Sequence, residues 1–367
     1  MAEGARLESV YTGNRIAGSN PAPSAIFLCL PPTPITEFGG MSTMTANGGL
    51  TTKMAKTPIR PPILRRSWLF IGGVDAALLM AAPETEADVL IYELEDFTPP
   101  DQRPRARELC GAVLASWKKT GSVAAVRINP LTDDGSDDAA ADGLADLTAV
   151  MAHAPDAVLL PKVAEPEHVD DLDREIARLE KRYGLTLGST EIVPNIELAR
   201  GIMQTHAICL SSPRISGCVM ASEDLAADLG AERSPDGSEL AYARGRFHLE
   251  CTAAGIPSID CPYTWTDASG LEADALAARR LGFKAKSCVH GDHAAVINRV
   301  LTPTPTEIDK AERIIDAFER AQKVGSGRAE VDGSLVEVPI YLNAKRLVER
   351  TRALAGWYGG LGRKDKA

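Results

Sequence analysis

The sequence predicts an α/β protein: a TIM (β/α)8 barrel with a C-terminal helical arm or lid. Three observations lead there. Eight short, β-prone apolar runs recur between residues 67 and 290. Their starts lie roughly 20 to 40 residues apart, room for a crossover helix each time. The runs are apolar nearly throughout and do not alternate, as suits parallel strands covered on both faces. Eight βα units in about 250 residues is the barrel's signature. The rival doubly wound sheet carries a glycine-rich fingerprint after its first strand, and here only Gly72-Gly73 is present.

The predicted strands are SWLFIG (67–72), DVLIYELE (88–95), VAAVRIN (123–129), AVLLPKV (157–163), EIVPNIE (191–197), GCVMAS (217–222), SIDCPYT (258–264) and AKSCVH (285–290). Between them Ala, Leu, Glu and Arg dominate, which favours helix, at Gln102–Trp117, Ala141–Ala152, Val169–Tyr183, Gly201–Leu210, Gly237–Ala254 and Leu271–Leu281. The barrel domain is expected over residues 63–302, and residues 303–367 form the arm. Within the arm, 303–322 reads as a long amphipathic helix capped by Thr306. A Gly-rich loop, a short strand or hairpin and a terminal helix fill 325–355, and a glycine-hinged segment of this kind suits a lid or subunit-crossing element.

Residues 1–62 are rich in Gly, Ser, Thr, Pro and Asn without helical or strand period. They read as a disordered leader. The stretch SVYTGNRIAGSNPAPSA resembles a mistranslated tRNA gene, which makes the leader a mis-called start and Met41, Met44 or Met54 the natural one.

Composition excludes several classes. Of the 367 residues, 44% are hydrophobic and 25% charged, the balance of a soluble globular protein. Net charge is −10, which argues against a nucleic-acid binder. The longest apolar run near the N-terminus, Ala25 to Leu30, is far short of the about 20 residues that span a membrane. None of the seven cysteines sits as Cys-x-x-Cys, so they read as packing residues and the cytoplasm is the expected compartment. The histidines are weak signals, with His290, which follows an apolar strand, the strongest.

What ends each strand carries the chemistry. In a TIM barrel the C-terminal strand ends form the active-site mouth. Here those ends bear Glu93, Glu95, Asp96, Arg127, Asn129, Lys162, Glu197, Glu223, Asp224 and His290. Glu197 and Asp224 end adjacent strands, and two such carboxylates with water and substrate oxygens describe a magnesium site. The competing reading for either carboxylate is an ion pair with Arg127 or Lys162. Lys162 and Arg127 are also candidates for gripping an anionic substrate.

From Arg65 to about Ala355 the chain resembles the HpcH/HpaI aldolase and citrate lyase beta-subunit superfamily, in its acyl-CoA lyase branch. The matching stretches are RRSWLFIGG, YELEDFTPPDQRPRAR, VRIN, LPKV, NIELARGI, MASEDLAADLG, LGFKAKSCVH and PTPTEIDKAERII. The resemblance implies a Mg²⁺-dependent carbon–carbon lyase, with Mn²⁺ as the alternative ion. Such an enzyme cleaves or forms a 3-hydroxyacyl-CoA such as citryl-, malyl- or citramalyl-CoA, giving an acyl-CoA and a 2-oxo acid. It implies Glu197 and Asp224 as metal ligands, Arg127 and Arg66 as substrate-binding, and Glu95 and Asp96 as holders of metal-bound water. A carboxylate on the arm of a neighbouring subunit does acid/base work in the family, and Glu337 occupies that position in a trimer or hexamer. The departures are Gly72 for proline, Glu93 for aspartate, Phe97 for alanine, Arg103 for lysine, Gly291 and Asp292 for proline and glutamine, and Glu337 for aspartate. Three further readings stand beside the lyase: a thioesterase on the same esters, an aldolase on free 2-oxo acids, and a non-catalytic binding or assembly subunit.

Overall fold

The computed structural model of the chain describes residues 59–131 and 139–360. Eight parallel strands close into a barrel in chain order. They are β1 (Ser67–Gly72), β2 (Val89–Glu93), β3 (Val123–Arg127), β4 (Ala157–Leu160), β5 (Glu191–Ile196), β6 (Cys218–Met220), β7 (Ser258–Asp260) and β8 (Ala285–Cys288). β8 returns to pair with β1, Lys286 lying opposite Ser67, so the sheet has no open edge. Each of the eight predicted runs contains one of these strands. Most of the runs overshoot at their C-terminal ends, where the chain leaves the ladder to build the mouth.

Alternation of side chains splits the apolar residues between two cores. Trp68, Phe70, Val89, Ile91, Val123, Ala125, Ala157, Leu159, Val193, Val219, Ile259 and Ala285 fill the barrel interior. Their neighbours along the strands, such as Leu69, Leu90, Ala124 and Val158, face the surrounding helices. The inward parity, continued to the strand ends, reaches Glu93, Arg127, Asn195 and Glu197. The strands thus aim these polar side chains along the barrel axis, above a dry interior.

The helices that cover the outer face are α1 (Ala76–Ala81), α2 (Arg103–Lys119), α3 (Ala139–Met151), α4 (Pro166–Tyr183), α5 (Ala199–Leu210), α6 (Glu223–Leu229), α7 (Ala241–Ala254), α8 (Ala268–Leu281) and α9 (His293–Val300). α4 shows the rule. Val169, Leu172, Ile176 and Leu179, three or four residues apart, are all buried, and each stabilises the fold by about 1.5–3 kcal/mol. The sequence reading names no helix at α1, α6 or α9, which have six, seven and eight residues. So few residues show too little of a 3.6-residue period to be recognised.

The arm comprises α10 (Pro305–Lys323), a hairpin of β9 (Ala329–Val331) and β10 (Ser334–Val336), and α11 (Val338–Gly360). Thr304, not Thr306, caps α10: its hydroxyl accepts from the Glu307 amide, and the Glu307 carboxylate accepts from the Thr304 amide. The α10 and α11 helices pack through Ala311, Ala344 and Val348, with Phe318 stacked on Tyr341. The far end of α11 returns to the barrel, where Arg60 lies over the rings of Trp357 and Tyr358. Of the predicted leader, residues 1–58 lie outside the described residues, as do all three candidate starts. By Arg60 the chain is already packed, 3% exposed and paired with Asp88. Among the described residues no helix is long and apolar enough to cross a membrane.

Candidate active site

The C-terminal ends of β2, β3 and β5 and the loops after them bring one arginine and several carboxylates together. Arg127 ends β3 with its guanidinium almost fully buried. Its Nε donates to Glu93 Oε1 at 2.9 Å. Its other nitrogens lie 3.2 Å from Glu95, 3.8 Å from Asp96 and 3.9 Å from Glu197. The rings of Phe70 and Phe97 flank the same guanidinium, 5.1 and 5.8 Å away. Burial pulls the Arg127 pKa down, but the charges of Glu93, Glu95 and Glu197 overcome this and raise it, so the cation is permanent.

Glu197 follows β5 and is completely buried. One carboxylate oxygen accepts from the Lys162 amide at 2.6 Å and the other from Asn195 Nδ2 at 2.5 Å. Burial pushes its pKa up to about 8; Arg127 pulls the other way, and Glu95 and Asp224 add to the rise. Glu95 is raised to about 7, again by burial first, then against Arg127 and with Asp96 and Glu93. Asp224, in the first turn of α6, is raised by burial and by Asp96. These carboxylates oppose one another's ionisation, and one arginine and one lysine do not cancel them.

Lys162 takes a left-handed backbone, φ 54°, uncommon for a residue with a side chain. The bend aims its amide at Glu197 while its ammonium lies 3.3 Å from Glu95. Strain of this kind collects at functional sites. Asp96 stands at the rim, its side chain about half exposed. Neither buried oxygen of Glu95 has a hydrogen-bond donor, although Arg127 and Lys162 are within ion-pair distance. Two unsatisfied carboxylate oxygens beside other crowded carboxylates fit a hard divalent cation, which takes oxygen ligands.

The structure thus gathers Arg127, Lys162, Glu197, Asp224, Glu95 and Asp96 in one electrostatic cluster. It does not bring Arg66 there, and the expectation that Arg66 binds substrate at this mouth is corrected by its position. Arg66 precedes β1, at the opposite end of the barrel. Its guanidinium is held by Asp88, Thr302 Oγ1 and the Tyr358 hydroxyl. Nor is Glu337 in this cluster: it is exposed at the start of α11, 3.3 Å from Arg328 of the same arm. Two positioning roles went unread in the sequence, although Glu93 itself stands out there as a charged strand end. Asn195 orients Glu197, and Glu93 anchors Arg127 while accepting from the amides of Glu95 and Phe97 at 2.7 and 2.6 Å. Inward parity at the strand ends is the signal that would have found both.

Residues 66–291 match the model of the HpcH/HpaI aldolase/citrate lyase family. The citrate lyase subunit beta of Haemophilus influenzae is 32% identical over 293 residues, covering 79% of this chain and 98% of that one. The (3S)-malyl-CoA thioesterase of Cereibacter sphaeroides is 30% identical over 293 residues, 80% of this chain and 96% of its own. Among solved structures, the citrate lyase beta subunit of M. tuberculosis, complexed with oxaloacetate and magnesium, superposes with a TM-score of 0.50 at 26% identity, covering 65% of this chain and 99% of that one.

Proposed function

The chain belongs to the HpcH/HpaI aldolase/citrate lyase family, and from that premise we propose that it is a Mg²⁺-dependent lyase of a 3-hydroxyacyl-CoA of the citryl, malyl or citramalyl type. The observation that carries this reading is the permanently charged, buried Arg127 facing crowded carboxylates, two of whose oxygens lack donors. The relatives support it: one is a citrate lyase subunit, one acts on malyl-CoA, and one holds magnesium and a 2-oxo acid.

In this reading Glu197 and Asp224 would hold the metal, with Glu95 and Asp96 beside it to hold its water. When bound, magnesium would supply a Lewis acid and a template for the oxo-acid half of the substrate. Arg127 does the complementary task. Cleavage of the bond between carbons 2 and 3 leaves negative charge on the thioester oxygen, and a pre-oriented guanidinium stabilises it without reorganising. Glu93 and the two phenylalanine rings hold that guanidinium in place and keep water off its faces. Lys162 anchors Glu197 through its amide and offers its ammonium to a substrate carboxylate. A base must take the 3-hydroxyl proton. We assign that step to Glu337 from the arm of a second copy, within a homo-oligomer, because Glu337 is exposed on the arm and outside the carboxylate cluster of its own barrel.

The test is a product assay on the purified chain with Mg²⁺ and malyl-, citramalyl- and citryl-CoA, following free thiol, acyl-CoA and 2-oxo acid separately. A 2-oxo acid with no free thiol is the expected result and names the substrate. Free thiol without 2-oxo acid would replace the lyase by hydrolysis of the same esters. Silence on all three esters, with 2-oxo acid turnover in the absence of CoA, would replace it by an aldolase.

A further inference from the structure

Away from the mouth, three cysteines from three elements meet. Cys209 lies in the last turn of α5, Cys218 opens β6, and Cys251 lies in the last turn of α7. Their sulfur atoms all lie within 4.8 Å of one another, and those of Cys209 and Cys251 are 3.9 Å apart. Cys218 and Cys251 are 0% exposed and Cys209 2%. Cys218 belongs to the outer core, whereas its neighbour Val219 belongs to the barrel interior. The sulfurs therefore sit between the sheet and its helices, at the end of β6 opposite to Asp224. No other group of three such side chains forms among the described residues.

We propose that Cys209, Cys218 and Cys251 form a three-sulfur site for a soft, thiophilic cation of the copper(I) class, which ties α5, β6 and α7 together on the closed side of the barrel. Geometry selects the coordination. Three sulfurs around one ion in a plane, at metal–sulfur bonds of about 2.3 Å, stand about 4.0 Å apart. The sulfurs of Cys209 and Cys251 already have that spacing. Chemistry selects the ion. A structural zinc takes four ligands, and among the described residues no carboxylate or imidazole joins the three sulfurs. With 2% exposure or less, the three sulfurs are withdrawn from solvent, which disfavours water as the fourth ligand. Magnesium and calcium require oxygen. A set of thiolates alone favours a soft ion such as Cu(I).

The protonation pattern is consistent with this. Hydrogen bonding to Cys218 and then Cys251 lowers the pKa of the Cys209 thiol, which makes it the readiest of the three to ionise. Burial holds the other two thiols up. Binding Cu(I) as three thiolates displaces whatever thiol protons the three cysteines still carry to solvent, and the copper keeps its oxidation state. Three neutral thiols that merely fill the core, as buried cysteines commonly do, are the alternative, and they bind nothing.

The experiment uses the full, reduced chain under anaerobic conditions. Cu(I) is titrated against a chromophoric chelator, with Mg²⁺ absent. One equivalent retained per chain is expected, together with a higher Tm. The C110S variant, altered at a cysteine outside the cluster, should behave identically. C251S and C218S should lose both the retained equivalent and the Tm rise while keeping the native circular dichroism. X-ray absorption on the copper-loaded native chain needs no variant to fold, and should read three sulfur neighbours with no nitrogen or oxygen. Failure of the native chain to retain copper would overturn the proposal. So would retention unchanged in C251S, or a coordination shell containing nitrogen or oxygen.

Discussion

Replacing Glu197 by glutamine should make the metal-free protein more stable and the enzyme inactive. Glu197 is completely buried and its pKa is pushed from an ordinary 4.5 to about 8, a balance that already includes the attraction of Arg127. A carboxyl raised in this way holds its proton more tightly folded than unfolded. Its unfavourable contribution is absent below about pH 4.5, grows as pH rises and is complete above about 8. At pH 7 the difference spans roughly 2.5 pH units at 1.36 kcal/mol each, about 3 kcal/mol as an upper bound. Relaxation and water penetration reduce this, so a gain of about 1–3 kcal/mol is expected, or several degrees in Tm for a chain of this size. The amide also fits. Its oxygen can accept from the Lys162 amide, and its NH2 can donate to Asn195 once that side chain turns over, because Asn195 Oδ1 has no partner. The assay is thermal unfolding of both proteins in EDTA and in Mg²⁺ between pH 5.5 and 8.5. In EDTA the advantage of Glu197→Gln should widen with pH. In Mg²⁺ the native chain should gain stability and the variant should not. A variant less stable than the native chain at pH 8 in EDTA, or one stabilised equally by Mg²⁺, would refute the reasoning.

Asp224→Asn should raise the Mg²⁺ concentration for half-maximal activity by about tenfold or more, roughly 1.4 kcal/mol of lost ion binding; an unchanged titration removes Asp224 from the site. Arg127→Lys should lower kcat by about 10²–10³, the range for loss of a pre-oriented donor, because an ammonium cannot reach Glu93, Glu95 and the substrate together; kcat within a few-fold of native would discard its role. Glu337→Gln should reduce kcat sharply with Tm unchanged, since its carboxylate is exposed and its ion pair with Arg328 is a surface one; full activity would end the assignment of Glu337. Gly72→Ala should destabilise by at least about 1–3 kcal/mol, because a Cβ there would lie 2.3 Å from Phe97 Cβ and 2.8 Å from its carbonyl oxygen; a chemical-denaturation midpoint equal to native would show that the loop yields freely.

The barrel was legible because its cause is local and repeated. Buried parallel strands need uninterrupted apolar runs, and eight of them mark the order of elements. The mouth was legible for the same reason: a charged residue after an apolar strand must leave the ladder at its C-terminal end. The role of Arg66 rested on the resemblance alone; the predicted strand 67–72 already sets this residue ahead of β1, at the end away from the mouth, where it lies among Asp88, Thr302 and Tyr358. All four lie apart in the chain, so no spacing announces the group. Thr306 was preferred to Thr304 as a cap although the partner, Glu307, stands three residues after Thr304. The cysteines are the clearest limit. Gaps of 9 and 33 residues separate Cys209, Cys218 and Cys251, and only the packing of α5 and α7 against β6 makes them neighbours.

The departures at Gly72, Glu93 and Phe97 are one structural feature. The atoms of Phe97 that exclude a Cβ at Gly72 are its own Cβ, carbonyl carbon and carbonyl oxygen, which almost any residue would carry. It is therefore the path of the loop after β2, more than the phenyl ring, that demands glycine. Glu93 sets that path: its carboxylate accepts the amides of Glu95 and Phe97, while Thr98 Oγ1 donates to the Glu93 carbonyl and accepts from the Gly73 amide. A glutamate reaches farther up the loop than an aspartate would and still bonds Arg127 Nε. The loop so held carries the Phe97 ring to one face of the Arg127 guanidinium and Glu95 to its edge. Read one at a time, three altered residues at a mouth suggest a decayed site. Read together they fasten Arg127 at its Nε, at one edge and on one ring face, which is the arrangement that stabilisation of a developing negative charge requires.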